Sequence, residues 1–208
     1  MKQGKDYIQD IAEIRSMMER SSKFLSLSGW AGIMAGVYAL AGAYLAYFVF
    51  HFQPDAIFYQ TSGRNSLPAD FLPILFLAIA VLVLSVGTAV ILSARKATKN
   101  GEKIWNATSR RLLVTTAVPL AAGGILILLL IMKGMTGLAA PLSLIFYGLA
   151  LFSASKFTYV DVRSLGLIQV VLGLAGSWFV EWSVLFWAAG FGMAHILYGI
   201  YIYYKYER

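Results

Sequence analysis

Six apolar runs of roughly bilayer length, separated by short polar segments, constrain this chain more than any other feature. They fall at about 27–50, 71–94, 112–132, 138–155, 162–180 and 183–203. A stretch of about 20 apolar residues hides its backbone polar groups from lipid only as a helix, because nothing in the hydrocarbon can satisfy an open strand edge. The pattern therefore predicts an all-α, polytopic transmembrane bundle of six helices, arranged as three hairpins across residues 27–204. Charged residues make up only 13% of the chain, against about 25% in water-soluble domains, and mean hydropathy is +0.71. That is too little polar surface for a water-soluble particle.

Ahead of the first run, residues 1–26 read as a cytoplasmic amphipathic helix. Tyr7, Ile8, Ile11, Ile14, Met17 and Met18 recur at helical spacing, with Asp10, Glu13, Arg15 and Glu19 between them. Such a helix lies in the membrane interface or binds a partner. No cleavable signal peptide is expected, since the first apolar run exceeds a signal h-region. Residues 205–208 form a short tail.

Charge placement sets the orientation. When the segments are assigned alternately to two sides, every lysine and arginine of the 17 except Arg64 and Lys133 falls on the side holding both termini. Cations accumulate on the cytoplasmic face, so both termini are expected inside. The same placement accounts for the net charge of +7 without nucleic acid. Expected partners are the bilayer itself, anionic lipid at the basic 95–111 loop, and a second copy or another membrane protein.

Small residues mark close-packing seams, because helices in lipid gain little from hydrophobicity and must approach closely. The first run offers Ser28, Gly32 and Gly36 in one row and Ala31, Ala35, Ala39 and Ala43 in another. In the last hairpin Gln169, Gly173 and Gly176 share one face, and Gly192, His195 and Gly199 another. With the turn near Trp182, Gln169 and His195 lie at equal depth, about 12–20 Å from it. This predicts two glycine faces packed together around a Gln169–His195 hydrogen bond, either a satisfied polar pair or the core of a ligand site. Pro119, inside the third run, removes a bond to the Thr115 carbonyl and predicts a kink, with Thr115 or Thr116 supplying a hydroxyl in compensation.

Candidate chemistry is sparse. The chain has no cysteine, so thiolate nucleophiles, zinc-thiolate sites and iron–sulfur clusters are excluded. His51 and His195 are the only histidines and sit far apart along the bundle axis, so no metal or haem site is expected, and no cofactor. No carboxylate lies mid-span, which disfavours a coupled pump. Motifs for metalloproteases, serine hydrolases, P-loops and dinucleotide binding are missing. Asn106-Ala-Thr108 fits a glycosylation pattern but falls on the cytoplasmic side. Two clusters remain. At the inner mouth Asp161, Arg163, Gln169, His195, Tyr198 and Tyr201 converge, with Asp161 and Arg163 as an interfacial ion pair; a lipid-modifying enzyme or a headgroup site would use such a set. On the outer side lie His51, Asp55, Arg64, Asp70 and Glu181. Tyr38 and Tyr147 are deep enough to need hydroxyl partners, or else line an apolar cavity.

The stretches Glu13-Ile-Arg-Ser-Met-Met-Glu-Arg-Ser-Ser and Phe191-Gly-Met-Ala-His-Ile-Leu-Tyr-Gly resemble those of uncharacterised bacterial six-helix inner-membrane proteins. The resemblance extends over most of the chain. It implies a six-helix inner-membrane fold and brings no activity. The reading is thus a non-enzymatic protein that binds or passes a small apolar ligand or regulates a partner. Its alternatives are a lipid-modifying enzyme at the cytoplasmic mouth and a structural subunit of a membrane complex.

Overall fold

The computed structural model describes residues 28–52, 71–101 and 105–208, which are helical throughout apart from short connections. The amphipathic segment 1–26, the greater part of the outer loop, including Asp55, Arg64 and Asp70, and Lys103 of the basic loop lie outside the described residues.

Six rods emerge. α1 (Gly29–Tyr44) runs into a π-helical turn, Leu45–Val49. α2 is Phe71–Lys99, α3 is Ala107–Met132, α4 is Ala139–Ala154 and α5 is Val162–Trp178. α6 (183–206) is one continuous rod. Its ends, Ser183–Trp187 and His195–Tyr206, are α-helical, and its middle, Ala188–Ala194, is π-helical. Every rod but α5 belongs to a helical stretch long and apolar enough to cross a bilayer. α5 has 17 residues, about 26 Å of rise, and after Phe179 the 3-10 turn Val180–Trp182 leads into α6. This is a multi-pass membrane bundle. The many large apolar side chains on its outside, such as Leu82, Val118 and Leu197, face lipid rather than water.

The basic loop is shorter than the charge pattern suggested. α2 continues past the expected end at 94 to Lys99, and α3 starts at Ala107 rather than 112. Lysine and arginine are good helix formers whose long stems keep the head group wet, so Arg95, Lys96 and Lys99 carry the helix beyond the hydrocarbon. Asn100 and Gly101 then stop it, Gly101 taking a left-handed φ of 69° that a side chain would resist. Asn106 opens α3 with a capping box: its side chain accepts from the Ser109 N–H at 2.8 Å, while the Ser109 hydroxyl accepts from the Asn106 N–H at 2.9 Å. The glycosylation-like triplet is thus a helix cap.

Packing follows the small residues. α4 and α5 form the closest pair, crossing where Gly148 meets Gly166 backbone to backbone. α1 lies on α6, with Gly29 and Gly36 against Gly199 and Gly192. The glycine faces of the last hairpin therefore do not meet each other as expected. Gly192 and Gly199 pack on α1, and Gly173 packs on Pro141 and Ile145 of α4. Gly192 and Gly199 do share a face, as α-helical counting groups them, but that face lies on α1. α2 docks on α1, where Tyr38 and Thr88 hydroxyls pair at 3.3 Å, and α3 docks on α4, Gly123 making room for the Phe146 ring. Pro119 sits within the unbroken α3. The Thr116 hydroxyl donates to the Leu112 and Leu113 carbonyls at 2.9 and 3.1 Å, and not to the Thr115 carbonyl that Pro119 leaves without its usual donor.

Glu207 ties the termini of three rods together at the basic end. Its carboxylate accepts from the Gly29 N–H at 2.7 Å and pairs with Lys96 at 2.9 Å, both side chains largely shielded. One charge thus caps the start of α1 and neutralises a cation on α2. Glu207→Ala removes both bonds, and hydrogen bonds to charged groups contribute about 1.5–3 kcal/mol each. Thermal unfolding in detergent should show a clear loss of stability, and Glu207→Gln should recover only part of it.

Candidate functional site

The interior polar site begins with a glutamine in an otherwise apolar helix. Gln169 of α5 is fully buried, so its amide must find partners in the protein. Its nitrogen donates to the Gly190 carbonyl at 2.8 Å. That carbonyl belongs to the π-helical segment of α6, whose wide turns leave backbone acceptors open to side chains. A Cβ at Gly190 would lie 2.5 Å from both Gln169 Oε1 and Leu144 Cδ2, so any larger residue there must displace those side-chain ends.

His195, also buried, sits against the same carbonyl. Its Nδ1 is 2.9 Å from the Gly190 oxygen and 3.3 Å from Gln169 Nε2, and its Nε2 is 2.9 Å from the Tyr147 hydroxyl of α4. The geometry selects one tautomer. An unprotonated Nδ1 would turn its lone pair on the Gly190 oxygen, so Nδ1–H donates to Gly190, and Nε2 accepts the Tyr147 hydroxyl. The Gln169–His195 pairing expected from sequence thus becomes a shared contact, both side chains donating to one backbone oxygen. Phe191 stacks on the His195 ring with centroids 5.8 Å apart, and Trp187 extends the aromatic column. Three rods, α4, α5 and α6, are thereby joined at mid-depth.

The other inner-mouth residues separate from this network. Asp161 pairs with Lys205 at 2.9 Å, not with Arg163. It also accepts from the Tyr201 and Tyr206 hydroxyls at 3.2 and 2.8 Å. Arg163 is exposed and lies over the Phe152 ring at 5.0 Å. The reason is helical phase: residues 161 and 163 are two apart and point to different faces of α5, while α6 brings Lys205 back over Asp161. Tyr198 packs beside the small core of Tyr159, Val162 and Ile202, and its hydroxyl oxygen is buried without a partner, as is Gln169 Oε1.

Burial pushes the Asp161 carboxyl up, but the hydrogen bonds from Lys205, Tyr206 and Tyr201 together with the Lys205 charge outweigh it, and its pKa lies below the ordinary value. A depressed carboxylate stabilises the fold above the unfolded pKa of about 3.9, and that contribution disappears as pH falls through the lower folded value. The fall in unfolding temperature from pH 7 to pH 3 should therefore be steeper in the wild-type protein than in Asp161→Asn.

Between α5 and α6, opening toward lipid, runs a cavity of about 540 Å³. Leu165, Ile168 and Leu172 form one wall, Ala189, Met193 and Leu197 the other, and Asp161, Ser164 and Tyr201 stand at its polar end. Tyr198 lines it as well. The two features are complementary. The network at Gln169 and His195 is buried and links α4, α5 and α6. The groove is open and apolar, with a charged mouth. Among the described residues no three histidine or acidic side chains gather as a metal site would require. Sequence reasoning missed Tyr147 and the Gly190 carbonyl as members of the network. The depth of Tyr147 signalled that it needed a partner, but the π-helical backbone that supplies the carbonyl has no clear sequence signature beyond the run of small residues Ala188-Ala189-Gly190. No family model, curated protein or solved structure matches the chain.

Proposed function

We propose that this is a non-enzymatic protein of the bacterial inner membrane, with both termini cytoplasmic, that binds the apolar portion of a lipid-like molecule in the groove between α5 and α6. The groove itself carries the reading. It is large enough for part of an acyl chain, lined by aliphatic side chains, open to the bilayer, and ends at hydroxyl and charged groups where a head group would lie. The orientation rests on the cations: Arg95, Lys99, Arg110 and Arg111 stand exposed on the same end as Glu207 and Lys205. The same exposed cations support contact with anionic lipid around the α2–α3 connection.

Leu197→Trp fills the groove from its lipid-facing edge with little disturbance of the core, since Leu197 is 62% exposed. Mass spectrometry of lipid retained by the purified protein should show a severalfold loss in Leu197→Trp. Equal retention by the variant and the wild-type chain contradicts the reading.

A further inference from the structure

We propose that the groove selects a zwitterionic phospholipid bearing a primary ammonium group, the ammonium binding Asp161 and the phosphate Lys205. This rests on the reading of the groove as a lipid site and adds the head-group chemistry. The observation is the composition of the mouth. Asp161 and Tyr201 line the groove's polar end, and Lys205 lies on the Asp161 carboxylate at 2.9 and 3.1 Å. The pair is partly open to solvent, with side-chain exposures of 42% for Lys205 and 25% for Asp161. A solvated pair of this kind contributes little by itself and exchanges partners readily.

Charge complementarity sets the class. An anionic head group reaching Lys205 also meets the Asp161 carboxylate, and a purely cationic one meets the Lys205 ammonium. A zwitterion replaces the internal pair with two external pairs and leaves neither charge unmatched. The need for N–H donors narrows the class further. Asp161 accepts hydrogen bonds from Lys205, Tyr201 and Tyr206. When Lys205 turns to a phosphate, the carboxylate must regain a charged donor. A primary ammonium supplies up to three, whereas a quaternary ammonium has none. The Ser164 hydroxyl, also at the mouth, provides a neutral donor for a remaining phosphate oxygen.

The test uses the purified full chain in detergent, incubated with an equimolar mixture of synthetic phosphatidylethanolamine, phosphatidylcholine and phosphatidylglycerol carrying identical acyl chains. Retained lipid is then quantified by mass spectrometry. The wild-type chain should favour phosphatidylethanolamine over each of the others by about tenfold, the scale of one charge-assisted hydrogen bond. Asp161→Asn should bring the phosphatidylethanolamine to phosphatidylcholine ratio close to one. Equal retention of all three lipids by the wild-type chain, or a preference for phosphatidylglycerol, overturns the head-group assignment and leaves the groove reading standing. Retention that is unchanged in Leu197→Trp removes the groove reading itself.

Discussion

Gly166→Val should separate α4 from α5 and give a protein that unfolds far below the wild type, or is not recovered folded at all. A Cβ at Gly166 would lie 2.7 Å from the Gly148 carbonyl oxygen and 2.8 Å from the Phe152 nitrogen. Both are backbone atoms of α4 and cannot swing aside as a side-chain tip does, so the helices must move apart. At Gly148 the contact is reciprocal, with the Gly166 carbonyl oxygen 2.6 Å from the ideal Cβ position. Separation loses the dispersion contacts that hold helices together in lipid, where hydrophobicity does not favour the pair. Overpacking typically costs about 1–3 kcal/mol, and this seam, which has backbone on both sides, should fall at or beyond the upper end. Gly124 supplies the control. Nothing lies within 4 Å of its Cβ position, so Gly124→Ala should be neutral or stabilise α3 by up to about 1 kcal/mol through helix propensity. Denaturation curves of the two variants in the same detergent test the contrast.

The second large effect is expected at His195. His195→Leu removes the donor to Gly190 and leaves the Tyr147 hydroxyl buried with no partner. An orphaned buried hydroxyl costs about 1–3 kcal/mol, and the lost bonds add to it, so unfolding should shift by several kcal/mol. Adding Tyr147→Phe removes the orphan. The double variant His195→Leu/Tyr147→Phe should therefore be less destabilised than the sum of the single variants, with a coupling energy of about 0.5–3 kcal/mol. Simple additivity would mean that the 2.9 Å contact contributes nothing.

Much of the architecture is legible in the sequence because its physics is one-dimensional. Span length, the clustering of charges and the glycine-rich rows follow from counting along the chain. Hence the six rods, the breaks at Asn100-Gly101 and 133–137, and the use of Gly32 and Gly36 as contacts all have local causes. What resists such reading is the choice of partner. Gly192 and Gly199 pack on α1, while the His195 ring and Gln169 meet the carbonyl of Gly190 within the π-helical segment Ala188–Ala194. Counting along the chain groups Gly192, His195 and Gly199 but does not say which neighbouring rod that group meets. Charge pairing fails for a related reason. Asp161 and Arg163 are neighbours in sequence, but the partner that reaches Asp161 is Lys205, 44 residues away. The groove has no sequence marker, because its walls are ordinary aliphatic residues and only the packing of α5 on α6 gives them a concave shape.

The central claim is that the chain crosses the membrane repeatedly with its cationic end inside. Since the chain contains no cysteine, single cysteines placed at Lys99, where α2 ends, and at Lys133, where α3 ends, report on opposite sides without background. In intact cells a membrane-impermeant maleimide should label the Lys133→Cys variant and spare Lys99→Cys, and both should react once the membrane is opened. Labelling of Lys99→Cys in intact cells, or equal labelling of the two, would contradict the account.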